Sequence, residues 1–275
     1  MALTRDRDGK RLHVNSKLMG ESLVSNEFLD GIEYPEQKRL FPDLSILKIG
    51  GQSICDRGKH ALPPIIEEIK ECHKNHKMLI TTGGGTRSRH IYNIGIDLGM
   101  PTGIIAKFGT TISEQNALLV SVLLADAGGI LIGIDELVKL SQYFNNSSIP
   151  VIHGMPPYDL FALPPAKGRI PIHRTDVGTL ILADLLGVKN VIFVKDEKGL
   201  HTNDPKKDSK AEFISKISVN ELVERNLDDL IVERPCLEII KNSSVIDSIQ
   251  IIDGRQKGNI TAALNGEHVG TIITE

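Results

Sequence analysis

Two short apolar runs, LSILKI and MLITT, each stop at consecutive glycines, Gly50-Gly51 and Gly83-Gly84-Gly85. Apolar, β-branched runs this short, closed by turn formers, read as buried strands. Helical spacing follows the first over about residues 57–76, at Ala61, Leu62, Ile65, Ile66 and Ile69. A helix through IYNIGIDLG follows the second and stops at Gly99 and Pro101. GIIA, ILIGI, IPVIHG and VIFVK are further expected strands, with helices through ISEQNALLVSVLLADAG and VGTLILADLLG. Strands alternating with helices predict an α/β fold with a mostly parallel central sheet and helices on both faces.

The expected domain runs over residues 41–275. Residues 1–40 are polar and charged with scattered apolar positions and read as an N-terminal arm, helical in tendency at SLVSNEFLDGIEY. With 275 residues, 40% hydrophobic and 24% charged, the chain has a globular composition and length for a sizeable core. Its net charge of −3 argues against a general nucleic-acid binder, which carries a basic surplus. No apolar run reaches the roughly 18 residues of a membrane span, and the charged start lacks an apolar signal core. Cys55, Cys72 and Cys236 lie far apart without a CxxC pair, so neither a disulfide framework nor a structural zinc site is expected. A reduced, cytoplasmic compartment is the simplest expectation.

Ligands of open α/β sheets bind outside the carboxyl ends of the strands, so the loops there are the candidates. In Lys48-Ile49-Gly50-Gly51-Gln52-Ser53, the glycines admit close backbone approach to a phosphate and Lys48 adds a point charge; a tight turn with a surface lysine is the plain reading. Three glycines at 83–85, then Arg87, Arg89 and His90, fit an anion nest at a helix start or two backbones packed closely. Asp176, within His173-Arg174-Thr175-Asp176-Val177-Gly178, is either a helix N-cap, a role Thr175 could equally fill, or a carboxylate that orients a lysine or holds Mg²⁺. Residues 195–205, KDEKGLHTNDP, taken alone read as a hairpin. Residues 155–174 contain five prolines, and a loop this long is expected to be a lid or an interface element. Together, the glycine loops, Lys48, Asp176 and the lysine-rich turn suit binding and transfer of a phosphoryl group.

The ordered motifs KIGG, GGGT, RTDxG, KDEKGLHTNDP and the closing GNITAALNGEHVGTIIT resemble the amino-acid kinase family, from about Leu44 to Thr274. The passages GMPPYDL and IPIHRTDVG resemble its oxometalate-storing branch. The resemblance implies an amino-acid kinase-like, nucleotide-binding domain, ATP and Mg²⁺ as cofactors, and molybdate or tungstate clusters as stored cargo. It also implies a homo- or hetero-hexameric cage with a related subunit, without nucleic acid or membrane as partner. Carried over by motif, Lys48, Asp176 and Arg89 are the catalytic candidates. Gly50, Gly51 and Gln52 would face the phosphates, and Gly84 and Gly85 the acceptor side with Arg89. Lys195, Asp196, Gly199, His201, Asn203 and Pro205 would surround the nucleotide, with His201 where relatives usually have tyrosine. His153 and His173 are the candidate metal ligands, or plain loop histidines.

Two departures bear on function. Uridylate kinases of the family carry an aspartate in D-x-M-G-M-L-A-T; here AKFGTTISEQN places Ala106 there. A storage subunit of the family has histidines after its P-P-Y; here Asp159, Leu160 and Phe161 follow Tyr158. Large oxometalate anions need amides, histidines and positive charge, which Arg87, Arg89, His90, His153, Arg169, His173 and Arg174 would supply if they converge. Three readings follow: ATP-dependent oxometalate storage, phosphoryl transfer to UMP or another small acceptor, and a non-catalytic nucleotide-binding regulatory subunit.

Overall fold

The computed structural model describes residues 3–5, 9, 12–14, 36–165, 168–188 and 190–275. The chain divides into two units, Met1–Gln37 and Lys38–Glu275. In the first, β1 (Leu3–Arg5) pairs antiparallel with β2 (Leu12–Val14), Leu3 opposite Val14. The helical tendency at SLVSNEFLDGIEY lies outside the described residues.

The second unit is built on β3 (Leu44–Ile49), β4 (Lys77–Thr82), β5 (Gly129–Leu131), β6 (Ile149–His153), β7 (Asn190–Lys195), β10 (Lys216–Ser218), β11 (Ser248–Asp253) and β12 (Thr271–Thr274). They form one eight-stranded sheet in the order β10-β12-β11-β7-β3-β4-β6-β5. Every neighbouring pair is parallel except β11–β12. A parallel sheet needs crossovers, which here include α1 (Leu62–His73), α3 (Thr102–Leu123) and α5 (Thr175–Leu186). Period two along the central strands feeds two cores. Leu44, Ile46, Leu79 and Phe193 meet Val177, Leu180 and Ala183 of α5 on one face. Leu47, Ile49, Ile80 and Val194 meet Ile65 and Ile69 of α1 and Val120 of α3 on the other. Each such fully buried branched side chain contributes about 1.5–3 kcal/mol. α5 ends at Gly187, which takes the left-handed φ of 61° usual after a helix.

Three local expectations are corrected. Residues 103–106, GIIA, are not a strand: they lie in the first turns of α3, entered from Pro101 in extended conformation. The buried face of that helix runs through Gly103, Ala106, Thr110 and Ser113, a 3.6-residue stripe of small side chains. It packs closely, since a Cβ on Gly103 would lie 2.0 Å from the Leu160 carbonyl oxygen. The expected helix over 57–76 is two pieces, a 3-10 turn Cys55–His60 broken at Gly58 and then α1. ILIGI is a strand only to Leu131, and a 3-10 turn over Ile134–Lys139 leads into α4 (Leu140–Asn145).

Two elements close the cleft side. α2 (Gly85–Asp97) starts directly from the three glycines. β8 (Leu200–His201) pairs antiparallel with β9 (Phe213–Ile214), so the turn-rich stretch after Lys195 does open an antiparallel ladder. Helices α6 (Val219–Arg225) and α7 (Cys236–Asn242) flank a further loop that reaches the same cleft.

Candidate functional site

Alternation along β3 puts Lys48 on the face of Leu44 and Ile46, and alternation along β7 puts Lys195 on the face of Val191 and Phe193. These are one face, because Lys48 stands opposite Phe193 in the parallel register. Both lysines therefore emerge at the carboxyl ends of adjacent strands beneath α5, whose first turn carries Asp176. The side chains of Lys48, Lys195 and Asp176 are only 4%, 12% and 6% exposed. Buried ammonium groups need a compensating charge. Asp176 supplies it to both: Lys48 Nζ donates to Oδ1, and Lys195 Nζ lies 3.2 Å from Oδ2. Thr179 of α5 is tied to Thr81 of β4 at 2.8 Å, which fixes the helix over the strands.

Burial opposes ionisation of Asp176, yet Lys195 and Lys48 outweigh it and hold the carboxyl well below its ordinary range. Burial likewise works against the charge on Lys48, and Asp176 overcomes it, so that pKa is raised. Lys195 goes the other way: burial and the like charge of Lys48 leave its pKa below the ordinary lysine value. The site is thus a carboxylate clamping two cations, one of them held in its charged form less firmly.

The N-cap alternative for Asp176 fails. The capping residue position is Arg174, no side chain of the helix's own start caps it, and the amides are taken by Glu233. Its carboxylate accepts from the backbone N–H of Arg174 at 3.0 Å and of Asp176 and Val177 at 3.3 Å. Burial, then the charge of Asp176, pushes the Glu233 carboxyl above its ordinary value. Sequence reasoning missed Glu233 because its partners lie 56 to 59 residues away and no local signal marks it.

The glycine loops show the close backbone packing offered as one reading of them. A Cβ on Gly51 would lie 2.2 Å from the Gly85 amide nitrogen and 2.7 Å from the Gly83 carbonyl carbon, so two backbones do pack against one another. The same loops also line the cleft. Asn116 of α3 donates to the Gly83 carbonyl at 2.6 Å from behind. Asp56 accepts from the Thr86 amide at 2.6 Å and so caps α2, another long-range carboxylate that sequence reasoning missed. Ser88 Oγ is buried in the lining beside Gly84 with no hydrogen-bond partner among the described residues.

A cleft of about 1110 Å³ brings together Lys48, Gly50, Gly51, Gln52, Gly84, Gly85, Arg89, Asp176, Lys195, Asp196, Gly199, His201, Asn203 and Pro205. Its cations are mostly paired. Arg57 and Lys206 both reach Asp196, whose carboxyl is lowered by them against the opposing effect of burial. Arg174 faces Glu233, and Lys207 faces Asp204. Arg89 has no such partner among the described residues and is exposed in the lining, so an entering anion meets it uncompensated. Arg87 is not part of the cleft: it is spent on Gln115 and Asn116.

His153 and His173 stand apart from this lining. His153 is buried at the end of β6, 3.9 Å from a Glu114 oxygen, and burial holds its pKa below the ordinary histidine value. His173 is bonded to the Tyr158 hydroxyl at 2.9 Å in a separate cavity of about 370 Å³. Among the described residues no group of three or more His, Cys, Asp or Glu side chains is placed to hold a metal ion. No described helix is long and apolar enough to cross a membrane.

A mostly parallel sheet thus carries a clamped lysine pair at the carboxyl ends of its central strands, faced by glycine loops. Residues 43–251 match the profile of the Amino acid kinase family, and the chain belongs to it. Over 257 residues it is 43% identical to the molybdenum storage protein subunit beta of Azotobacter vinelandii, covering 94% of this chain and 95% of that protein. It is 27% identical over 248 residues to a uridylate kinase of Methanocella arvoryzae, covering 84% of this chain and 99% of that one. The uridylate kinase structure from Archaeoglobus fulgidus superposes with a TM-score of 0.65 at 22% identity, over 84% of this chain and 99% of that chain, a likeness of fold.

Proposed function

We propose that this chain is a subunit of a cytoplasmic, hexameric oxometalate store that uses ATP to take up molybdate or tungstate as clusters. The observation that carries the reading is the 43% identity to a molybdenum storage subunit along 94% of the chain. The geometry supports a nucleotide triphosphate in the cleft. Gly50, Gly51 and Gln52 leave backbone room for the phosphates. Lys48 and Lys195, fixed by Asp176, face them with two preorganised positive charges, which stabilise the charge that spreads over a transferring phosphoryl group. Lys195 to Pro205 form the wall assigned to the rest of the nucleotide. Arg89, unpaired, draws the anionic cargo or acceptor to the opposite side.

The donor set does not fit a magnesium ion held by the protein alone. Both oxygens of Asp176 face lysines, and no cluster of three ligating side chains is present among the described residues. Mg²⁺ then belongs to the nucleotide, held through its phosphates.

Uridylate kinase relatives favour a second reading, phosphoryl transfer to UMP. Against it, Ala106 replaces the acceptor-side aspartate and lies buried in α3, outside the cleft. Steady-state ATP turnover with molybdate, compared with UMP, separates the readings. Turnover stimulated by molybdate and not by UMP is expected. Stimulation by UMP alone would make the chain a kinase, and nucleotide binding without turnover under either condition would make it a regulatory subunit.

A further inference from the structure

We propose that Glu233 is a positioning residue for the phosphate-facing lysines: it takes the amide donors at the start of α5 and so leaves the Asp176 carboxylate free to clamp Lys48 and Lys195. The inference rests on the nucleotide site proposed above and names the residue that sets its geometry.

An aspartate or threonine at a helix start ordinarily turns back onto the helix's own amides. Here Thr175 and Asp176 open α5, and neither caps it. The donors of Arg174, Asp176 and Val177 go to Glu233, at 3.0, 3.3 and 3.3 Å. The Glu233 side chain is only 10% exposed, and the same carboxylate faces the Arg174 guanidinium at 3.5 Å. Two carboxylates thus share the positive end of one helix with a division of labour. Glu233 answers the backbone, and Asp176 answers the side chains. Remove Glu233, and three amide donors lose their acceptor at a site where an unmade bond is costly. The nearest carboxylate to satisfy them is Asp176 itself. It would turn toward the helix start and release a lysine into the cleft. The consequence is specific: the lysines lose their fixed geometry while the glycine loops and the wall formed by residues 195–205 stay in place.

The test compares Glu233→Gln and Glu233→Ala with the wild-type full chain. The measurements are kcat and KM for ATP, the melting temperature, and the acylation rates of Lys48 and Lys195 read by mass spectrometry without nucleotide. Glu233→Ala is expected to lower kcat by about tenfold or more with KM for ATP changed by less than about threefold. Lys48 or Lys195 should be acylated several-fold faster, with the exposed Lys74 as the unchanged reference. Glu233→Gln keeps one acceptor oxygen and should fall between wild type and Glu233→Ala in both readouts. It also serves as the folded variant if Glu233→Ala does not fold. Wild-type kcat and lysine reactivity in both variants, or a lowered melting temperature with neither readout moved, would reduce Glu233 to a helix cap and overturn the proposal. If the wild-type chain turns over no ATP, the functional reading fails, and the acylation rates still decide the role of Glu233.

Discussion

Asp176→Asn removes the single charge that two buried lysines share while keeping size and shape. In the wild type the Asp176 side chain is 6% exposed and those of Lys48 and Lys195 are 4% and 12% exposed, so bulk water offers little rescue. Breaking a buried ion pair by removing one partner costs about 3–5 kcal/mol. For a domain of this size, 1 kcal/mol corresponds to a shift of about 2–4 °C in melting temperature. A fall of about 10 °C at neutral pH is therefore expected. The pH dependence carries the sharper test. Without Asp176 both lysine pKa values fall: Lys48 loses the partner that raises it above the ordinary value, and Lys195, which burial already depresses, drops further. The unfolded state then binds more protons, so the variant gains stability relative to wild type as pH rises from about 7 toward 10. Chemical denaturation of both proteins across that range measures the gap. A melting temperature within about 2 °C of wild type, or a gap that stays constant with pH, would refute the clamp.

Gly51→Ala should destabilise by at least about 1–3 kcal/mol and weaken nucleotide binding, because its Cβ meets backbone at 2.2 Å from Gly85, which a side-chain rotation does not relieve. Denaturant titration and ATP calorimetry check both effects. Arg89→Ala should weaken anion binding and flatten its salt dependence, whereas Arg87→Ala should leave affinity unchanged and act on stability alone, since Arg87 is engaged by Gln115 and Asn116. Molybdate and ATP binding at two ionic strengths separate the two arginines. Burial pushes the His153 pKa below the unfolded value of about 6.5. Its contribution is present above that value and is lost as pH falls through the folded pKa. The wild type should therefore lose more stability than His153→Gln between about pH 7.5 and 5.5, and equal losses would place the acid sensitivity elsewhere.

The parts of the site that were legible in the sequence are those that depend on local order. A lysine at the end of a β-branched run, glycines directly after it, and an aspartate just inside a helix each carry their meaning within a few residues. Alternation then puts Lys48 and Lys195 on one face without further information. The illegible parts depend on distance along the chain or on silence in the hydrophobic pattern. Glu233 and Asp56 cap helices whose amides are 56 to 59 and 30 residues away. Apart from Ile105, the first half of α3 buries Thr102, Gly103, Ala106, Gly109, Thr110 and Ser113, small or hydroxyl side chains that register no apolar stripe. GIIA, the one apolar stretch there, then looks like a strand. The arginines were distinguishable only in three dimensions, since Arg87 and Arg89 differ by which side of α2 they leave.

In the function proposed, the cleft couples ATP to the capture of oxometalate. Elemental analysis of the purified protein, desalted after incubation with molybdate in the presence and absence of Mg-ATP, tests it directly. Many molybdenum atoms retained per chain only when Mg-ATP is present are expected. Equal retention without nucleotide, or none in either condition with UMP phosphorylated instead, would contradict it.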